Sequence, residues 1–246
     1  MDVLLVDLGL ALVGLGLVSL LRPLRLVRIR TRGRAAVVLG GGLLLLVIGL
    51  VLPVVPPRLS APPMLIDQLV PDYQFGEHHE IRIAAPPARV YAAVRAVTAR
   101  EIRLFRLLTW LRSPHWPGRG AESILNPASD RPILDVALRS GFLLLREDVE
   151  HEIVVGMLVC CDKPRPASSA EEFLARPGSL ARAAMTFHLV DEGGGTTRLI
   201  TQTRISASDG AAERRFAAYW RVIYPGSAVI RVMWLRAIRD RAERAS

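Results

Sequence analysis

The sequence predicts an α+β protein in which two apolar helices precede a domain built from an antiparallel sheet and a long final helix. Three observations favour this fold class. Two apolar runs open the chain, at residues 3–21 and 35–55. Several later segments alternate apolar and polar residues, which is the period of a strand with one buried face. The last segment, about residues 209–244, repeats apolar residues at helical spacing.

The two apolar runs are long enough to cross a bilayer, since a helix needs about 20 apolar residues to span the hydrocarbon core. Residues 3–21 are interrupted by polar groups only at Asp7 and Ser19, and residues 35–55 carry no charged or hydroxyl side chain. We therefore predict that residues 1–58 form a transmembrane helical hairpin whose partner is the lipid bilayer. The chain begins with aspartates where a secretory signal has basic residues, which argues against a signal peptide.

The connector between the runs, residues 22–34, predicts the orientation of the chain. It contains the arginines Arg22, Arg25, Arg28, Arg30, Arg32 and Arg34. Basic residues that flank membrane spans stay in the cytoplasm. The protein is thus predicted to be a multi-pass protein of the cell membrane with both termini, and the soluble domain, outside the cytoplasm. The net charge of +9 is concentrated in this connector, and the mildly basic remainder predicts no nucleic-acid partner.

A Pro-rich linker at 59–66 separates the hairpin from a domain at 67–246. Strands at 182–190 and 197–206 flank a turn with three glycines, which is a strong hairpin signal. Pro225 is predicted to kink or break the final helix. The remaining predicted elements are strands at 75–84, 142–146 and 151–159 and helices at 88–97, 102–111, 132–139 and a brief one through Phe173.

Alternation along the glycine-turn hairpin predicts two faces of different character. The apolar positions and two threonines form a buried face: Ala183, Met185, Phe187, Leu189, Leu199, Thr201, Thr203 and Ile205. The other face, which we predict to be in water, carries Arg182, His188, Arg198, Gln202 and Arg204.

Residues 84–91 (AAPPARVY), 197–205 (TRLITQTRI) and 219–227 (YWRVIYPGS) resemble the START-type, polyketide-cyclase-like superfamily known as SRPBCC. The resemblance covers nearly the whole soluble region. It implies a helix-grip fold, in which a curved antiparallel sheet wraps around the terminal helix and encloses an apolar cavity. Members bind lipids, sterols, polyketides or hormones, and some catalyse cyclisation or hydrolysis. The superfamily has no shared catalytic motif to carry over, and the membrane hairpin departs from its usual soluble members.

Six residues are the predicted walls of this cavity, because they combine inward strand alternation with the apolar stripe of the final helix: Met185, Phe187, Thr201, Thr203, Tyr219 and Ile223. A small-molecule site is mostly apolar with a few polar groups that orient the ligand. Thr201 and Thr203 would supply those groups. The alternative interpretation is ordinary core packing, with the threonines bonded to the backbone or to each other.

No catalytic set, cofactor motif or metal-ligand spacing is recognised. His79, Glu152 and His151 are the candidates for an acid or base, and His78 points to the opposite face from His79. The acidic residues at 147–152 predict a solvated turn. The only cysteines, Cys160 and Cys161, are adjacent, and we interpret them as small residues at a strand end rather than a redox pair.

The leading hypothesis is a membrane-anchored binding module for a small hydrophobic ligand such as a lipid, an isoprenoid or a polyketide-like molecule, and not an enzyme. One alternative is a cyclase- or hydratase-type enzyme that uses the same cavity. The other is a tethered interaction domain with a filled core.

Overall fold

The computed structural model describes residues 2–21, 31–52, 62–112, 123–124, 126–127, 130–159, 169–175 and 181–244. These residues form an α+β fold, so the predicted class is confirmed. The chain divides into two compact units. We call Met1–Val55 with Ala217–Tyr224 the hairpin unit, and Pro56–Phe216 with Pro225–Ser246 the sheet unit.

The predicted elements occur in the predicted order with small changes of boundary, and one further helix, α3, was not predicted. The helices are α1 Asp2–Leu21, α2 Arg32–Val51, α3 Leu65–Leu69, α4 Pro87–Ala96, α5 Phe105–Arg112, α6 Ile133–Arg139, α7 Ala170–Ala175 and α8 Gly210–Arg244. The strands are β1 Phe75–Ile83, β2 Leu143–Asp148, β3 Glu152–Val159, β4 Ala181–Gly193 and β5 Thr196–Ala207. Helix α3 crosses the predicted boundary between linker and domain, and Cys160 and Cys161 lie outside the described residues.

In the hairpin unit, α1 and α2 pack closely at glycines. A Cβ at Gly42 would lie 2.7 Å from the backbone nitrogen of Val13, and one at Gly16 would lie 2.8 Å from that of Leu39. Both helices are long and apolar enough to cross a membrane, and most residues of both are not buried. The core helix of a soluble protein would instead be mostly buried, so the two helices fit an apolar hairpin.

Arg221 of α8 completes the carboxyl end of α2. The last carbonyls of a helix have no partner within the helix and attract positive charge. The Arg221 guanidinium donates to the carbonyl oxygens of Leu50 at 3.1 Å and Leu52 at 2.6 Å. The middle of the final helix therefore belongs to the hairpin unit by specific hydrogen bonds, which the sequence does not predict.

The sheet unit contains a five-stranded sheet in the order β1-β5-β4-β3-β2, and every neighbouring pair is antiparallel. The predicted hairpin of β4 and β5 turns at Gly194 and Gly195, which have positive φ angles that glycine adopts without strain. Its register places Met185 opposite Thr203 and Phe187 opposite Thr201. The predicted pairing of one face is therefore confirmed.

This face, which we call the inner face, packs against the carboxyl-terminal part of α8. The rings of Phe187 and Trp234 meet edge to face with centroids 5.1 Å apart. Burial of such apolar surface is the main stabilising term of a fold. The core also includes Ile83, Val90, Ile133, Ile153, Val155, Met185, Leu189, Leu199, Leu235 and Ile238. An antiparallel sheet against a long terminal helix is the arrangement that the helix-grip resemblance implied.

The opposite face, which we call the outer face, is not in water, so that prediction is wrong. Ile66 of α3 and Phe173 of α7 are fully buried in a second core with strand residues of the outer face. Gln202 and Arg204 are buried as well. Two short helices cover this side, and neither has enough apolar periodicity to be assigned a packing partner from sequence.

Helix α8 runs from Gly210 to Arg244 with Pro225 inside it. Of the predicted kink or break at 225–227, the break is therefore absent, because the helix is continuous there. Proline removes one hydrogen bond from a helix interior. The long helix continues regardless, and the residues after Pro225 are the ones that lie over the inner face.

Candidate functional site

Polar side chains gather on the inner face beneath α8. Glu77 and His79 alternate inward on β1, where they lie opposite Thr203 and Thr201 of β5. Glu77 is almost completely buried, and His79 is partly buried. A buried carboxylate is costly unless hydrogen bonds satisfy it. The burial of the Glu77 carboxylate on the inner face therefore requires hydrogen-bond partners.

Both oxygens of the Glu77 carboxylate have partners. Oε1 accepts a hydrogen bond from Nε2 of His79 at 2.7 Å. Oε2 accepts one from the hydroxyl of Ser227, on α8, at 3.0 Å. The carboxylate thus connects the edge strand to the terminal helix, and it holds the imidazole of His79 on the inner face.

Arg231 lies one turn of α8 after Ser227. Its Nη2 donates to the hydroxyl of Thr203 at 3.2 Å, and its Nη1 contacts the sulfur of Met185. Its guanidinium lies 5.4 Å from the centroid of the Trp234 ring, which is a cation–π distance. We call Glu77, His79, Thr203, Ser227 and Arg231 the inner polar cluster.

Two deeply buried groups near this cluster have no partner among the described residues. They are the hydroxyl of Thr201, which is 1% exposed, and the indole N–H of Trp234, which is 2% exposed. Thr201 is paired across the sheet with Phe187, whose ring contacts Trp234. An unsatisfied buried donor costs about 1–3 kcal/mol. Both groups could donate to an acceptor atom of a bound molecule.

The structure brings together four of the six predicted cavity residues. Met185, Phe187 and Thr201 are buried on the inner face, and Thr203 is half-buried beside Arg231. Tyr219 and Ile223 belong to the hairpin unit, and Tyr219 is 43% exposed. The apolar stripe of α8 extends over both units, so its periodicity alone does not distinguish the residues of the inner face.

The sequence patterns did not assign Glu77, Ser227 or Arg231 to the site, and they placed Trp234 only on the apolar stripe of the final helix. A signal for Glu77 was present, because it precedes His79 by two residues and so shares its face. Ser227, Arg231 and Trp234 are spaced four and three apart, which places them on one side of a helix. Only the packing of α8 shows that this side meets the sheet.

The outer face carries a different buried carboxylate, Glu152. It accepts hydrogen bonds from the backbone nitrogen of Leu65 at 2.8 Å, the hydroxyl of Thr186 at 2.7 Å and Nδ1 of His188 at 3.1 Å. Burial by itself would raise the pKa of Glu152, but the hydrogen bonds from His188, Thr186 and Leu65 outweigh it and lower that pKa.

A second outer contact holds the same segment. Arg204 donates to the carboxylate of Asp67 at 2.5 Å and to the carbonyl of Val70 at 3.2 Å. Its guanidinium also lies 4.8 Å from the ring centroid of Tyr73. We call the contacts of Glu152 and Arg204 with residues 64–73 the outer clamp.

Of the three acid–base candidates, His79 alone lies on the inner face. Glu152 belongs to the outer clamp, and His151 is exposed in the turn between β2 and β3. Among the residues that the structure describes, no three His, Cys, Asp or Glu side chains are arranged to hold a metal ion. On the inner face, the imidazole of His79 and the carboxylate of Glu77 are hydrogen-bonded to each other.

Comparisons with known proteins give only distant structural likeness. No family model matches the chain, and no curated protein matches it. The protein MLL2253 from Mesorhizobium loti is 14% identical with a TM-score of 0.33, over 70% of this chain and 99% of that one. TTHA0849 from Thermus thermophilus is 13% identical with a TM-score of 0.29 over the same shares. At these values neither likeness supports a statement about function.

Proposed function

We propose that this protein is a membrane-anchored module that binds a small, mostly apolar ligand between the inner face and α8. The observation that supports this most directly is the pair of buried, unpartnered donors, Thr201 and Trp234. They lie among apolar side chains and beside an organised polar cluster. A ligand site has this composition, with apolar walls and a few convergent polar groups.

The arrangement favours a ligand with one hydrogen-bond acceptor at the end of an apolar body. The indole N–H of Trp234 and the hydroxyl of Thr201 would donate to that acceptor, while Met185 and Phe187 would contact the body. Lipids, isoprenoids and polyketide-like molecules all fit this description. The same argument supports membership of the SRPBCC superfamily, in which ligands occupy the space beneath the terminal helix.

The anchoring part of the proposal rests on α1 and α2. Both have the length and composition of membrane spans. From the arginines between them we infer that the connector lies in the cytoplasm, because basic residues that flank membrane spans stay on that side. Both termini and the sheet unit would then lie outside it. Fusion of alkaline phosphatase, which is active only outside the cytoplasm, after Ser246 would give activity if the orientation is right and none if it is reversed.

Ligand titration of the delipidated full-length chain in maltoside micelles tests the binding proposal. The probes are oleic acid, geranylgeraniol and an anthraquinone. Binding of each is monitored by the change in tryptophan fluorescence, with empty micelles as the blank. We expect saturable binding of at least one probe. Thr201→Val should weaken it about fivefold to tenfold, because one hydrogen bond of about 1 kcal/mol is lost.

Thr196→Val is the matched control, because Thr196 lies at the β4–β5 turn. It should leave the affinity unchanged. Trp234→Phe, which removes the second donor and keeps an aromatic ring, should weaken binding in the same way as Thr201→Val when followed by isothermal calorimetry. Absence of saturable binding for all three probe classes would contradict the proposal.

The contact of His79 with Glu77 favours one alternative function, a cyclase or hydratase that uses the same site. Such an enzyme needs a group that takes up and returns a proton, and an imidazole held by a carboxylate can do so. His79→Ala should then abolish turnover of a bound polyketide-like ligand while His78→Ala, on the outer face, leaves it intact. Equal turnover in both variants would exclude this role for His79.

A further inference from the structure

We propose that a second part of the sheet unit, separate from the inner face, docks on an anionic lipid surface. The surface consists of Arg103, Leu104, Arg106, Leu107 and Trp110, and we call it the α5 surface. Leu104, Leu107 and Trp110 are 56%, 53% and 45% exposed. Large apolar side chains that are grouped in this way on the surface of a domain usually mark an interaction site.

The exposure follows from the geometry of α5. Leu107 and Trp110 are three residues apart, so they lie along one side of α5, and Leu104 immediately precedes the helix. The buried side carries Phe105 and Thr109. Helix α5 therefore has two apolar sides, of which one is packed in the core and the other faces outward.

Leu104 has a φ angle of 60°, a left-handed conformation that is uncommon for a branched apolar residue. Its carbonyl accepts the first hydrogen bond of α5, from Leu108 at 2.9 Å. The exposed Leu104 thus has a strained backbone and lies directly before the first residue of α5. Strain of this kind is concentrated at functional positions.

Charge indicates which partner the α5 surface fits. Residues 103–112 contain three arginines and no acidic residue. Arg103 and Arg106 are exposed beside the leucines and Trp110. Arginine next to leucine and tryptophan is the pattern of a helix that lies in a membrane interface, where the arginines meet phosphate groups and tryptophan lies at headgroup depth.

A lipid surface is also the partner that the proposed membrane anchor would bring close to the sheet unit. The proposal rests on the anchoring part of the proposed function, because α1 and α2 would hold the sheet unit near a bilayer. Tethering turns docking into an intramolecular event with a high effective concentration. One eight-residue helix can then dock reversibly although it is too short to bind vesicles strongly on its own.

The test uses the full-length chain in vesicles, with Cys160→Ser and Cys161→Ser as the background. A single cysteine carries the fluorophore NBD at Leu107→Cys or, as a control, at Val149→Cys. Val149 is apolar and 64% exposed, in the turn between β2 and β3. Vesicles are pure phosphatidylcholine or contain a quarter of phosphatidylglycerol, and doxyl groups on the acyl chains act as quenchers.

We expect NBD at position 107 to emit at shorter wavelength and to be quenched several-fold more than at position 149 in the vesicles with phosphatidylglycerol. The difference should shrink in pure phosphatidylcholine and with Arg103→Gln and Arg106→Gln together. Equal quenching at positions 107 and 149 overturns the proposal. So does quenching at position 107 that is the same with and without phosphatidylglycerol and with and without the two arginine substitutions.

Carbonate extraction of the same vesicles separates this proposal from the one on which it rests. A chain that stays in the vesicles with unquenched NBD at position 107 overturns the docking proposal alone. A chain that is released overturns the anchoring and the docking together. Ligand binding by the inner face is measured separately and depends on neither result.

Discussion

The two faces of the sheet both bury polar side chains, but they use them differently. On the outer face, Glu152 and Arg204 are matched by donors and acceptors from residues 64–73 and neighbouring strands. On the inner face, the hydroxyl of Thr201 and the indole N–H of Trp234 have no partner among the described residues. Buried polar groups in proteins are nearly always paired.

This difference distinguishes a structural contact on the outer face from the proposed binding site on the inner face. Polar groups that fully satisfy one another fix a segment in place, and the outer clamp does this for α3. Unsatisfied groups lower stability, and the two on the inner face are the donors that the proposed ligand would satisfy. Four measurements on the full-length chain in micelles can break or sharpen the comparison.

The largest effect should come from Glu152→Ala. The change leaves the Leu65 N–H and the His188 ring without their acceptor and removes the Glu152 contact of the Thr186 hydroxyl, so it should lower the free energy of unfolding by about 4 kcal/mol. Denaturant titration checks this. Glu171→Ala, at an exposed position of α7, should change it little, and a similar small loss for both would show that the outer clamp is not structural.

Arg204→Met should lower the free energy of unfolding by about 3 kcal/mol, because the buried carboxamide of Gln202 and the carbonyl of Val70 lose their donor. Arg82→Met removes a guanidinium from an exposed position on β1, away from α3, and serves as the control. Hydrogen exchange should also show faster opening of α3 in the Arg204 variant alone. Slow exchange of α3 in both variants would argue that Arg204 does not hold it.

Acid should weaken the outer clamp. The pKa of Glu152 is lowered in the folded protein, so its stabilisation is complete above the ordinary glutamate pKa and is lost as the pH falls through the lowered one. We therefore expect the free energy of unfolding to fall progressively as the solution is acidified, by less than in the Glu152→Ala variant. Thermal unfolding against pH measures it, and Glu152→Gln should remove most of this dependence. An unchanged acid profile in that variant would assign the effect to other groups.

The smallest effect should have the opposite sign. Thr201→Val keeps the shape of the side chain and removes an unpaired hydroxyl, so the ligand-free protein should gain about 1 kcal/mol. Thr186→Val on the outer face, where the hydroxyl donates to Glu152, should destabilise instead. Calorimetric unfolding of both variants decides the matter, because a loss in both would mean that Thr201 has a structural partner.

Much of the fold could be predicted from local pattern. Three glycines with positive φ angles end the β4–β5 hairpin, and alternation along its strands identifies Met185 and Phe187 as inward-facing. The two apolar helices follow from run length alone. These features depend on residues close together in the sequence, which is the information that periodicity carries.

The rest depends on contacts between distant residues. The sequence predicts that the outer face is exposed to solvent, because the helix that covers it, α3, is only five residues long and follows a Pro-rich stretch. The pairing of Glu77 with Ser227, 150 residues apart, cannot be derived from either segment. For Tyr219 and Ile223 the periodicity was right for a helix, but it does not tell which unit each turn of α8 joins.

The hydrogen bonds from Arg221 to the end of α2 bear on how the protein could be processed. A domain joined to its anchor by one linker is released when a protease cuts that linker. Here residues 217–224, far along the chain, belong to the same unit as α1 and α2, the proposed anchor. A single cut between residues 53 and 61 would leave two fragments held together, so shedding of the sheet unit would require a second event that frees α8.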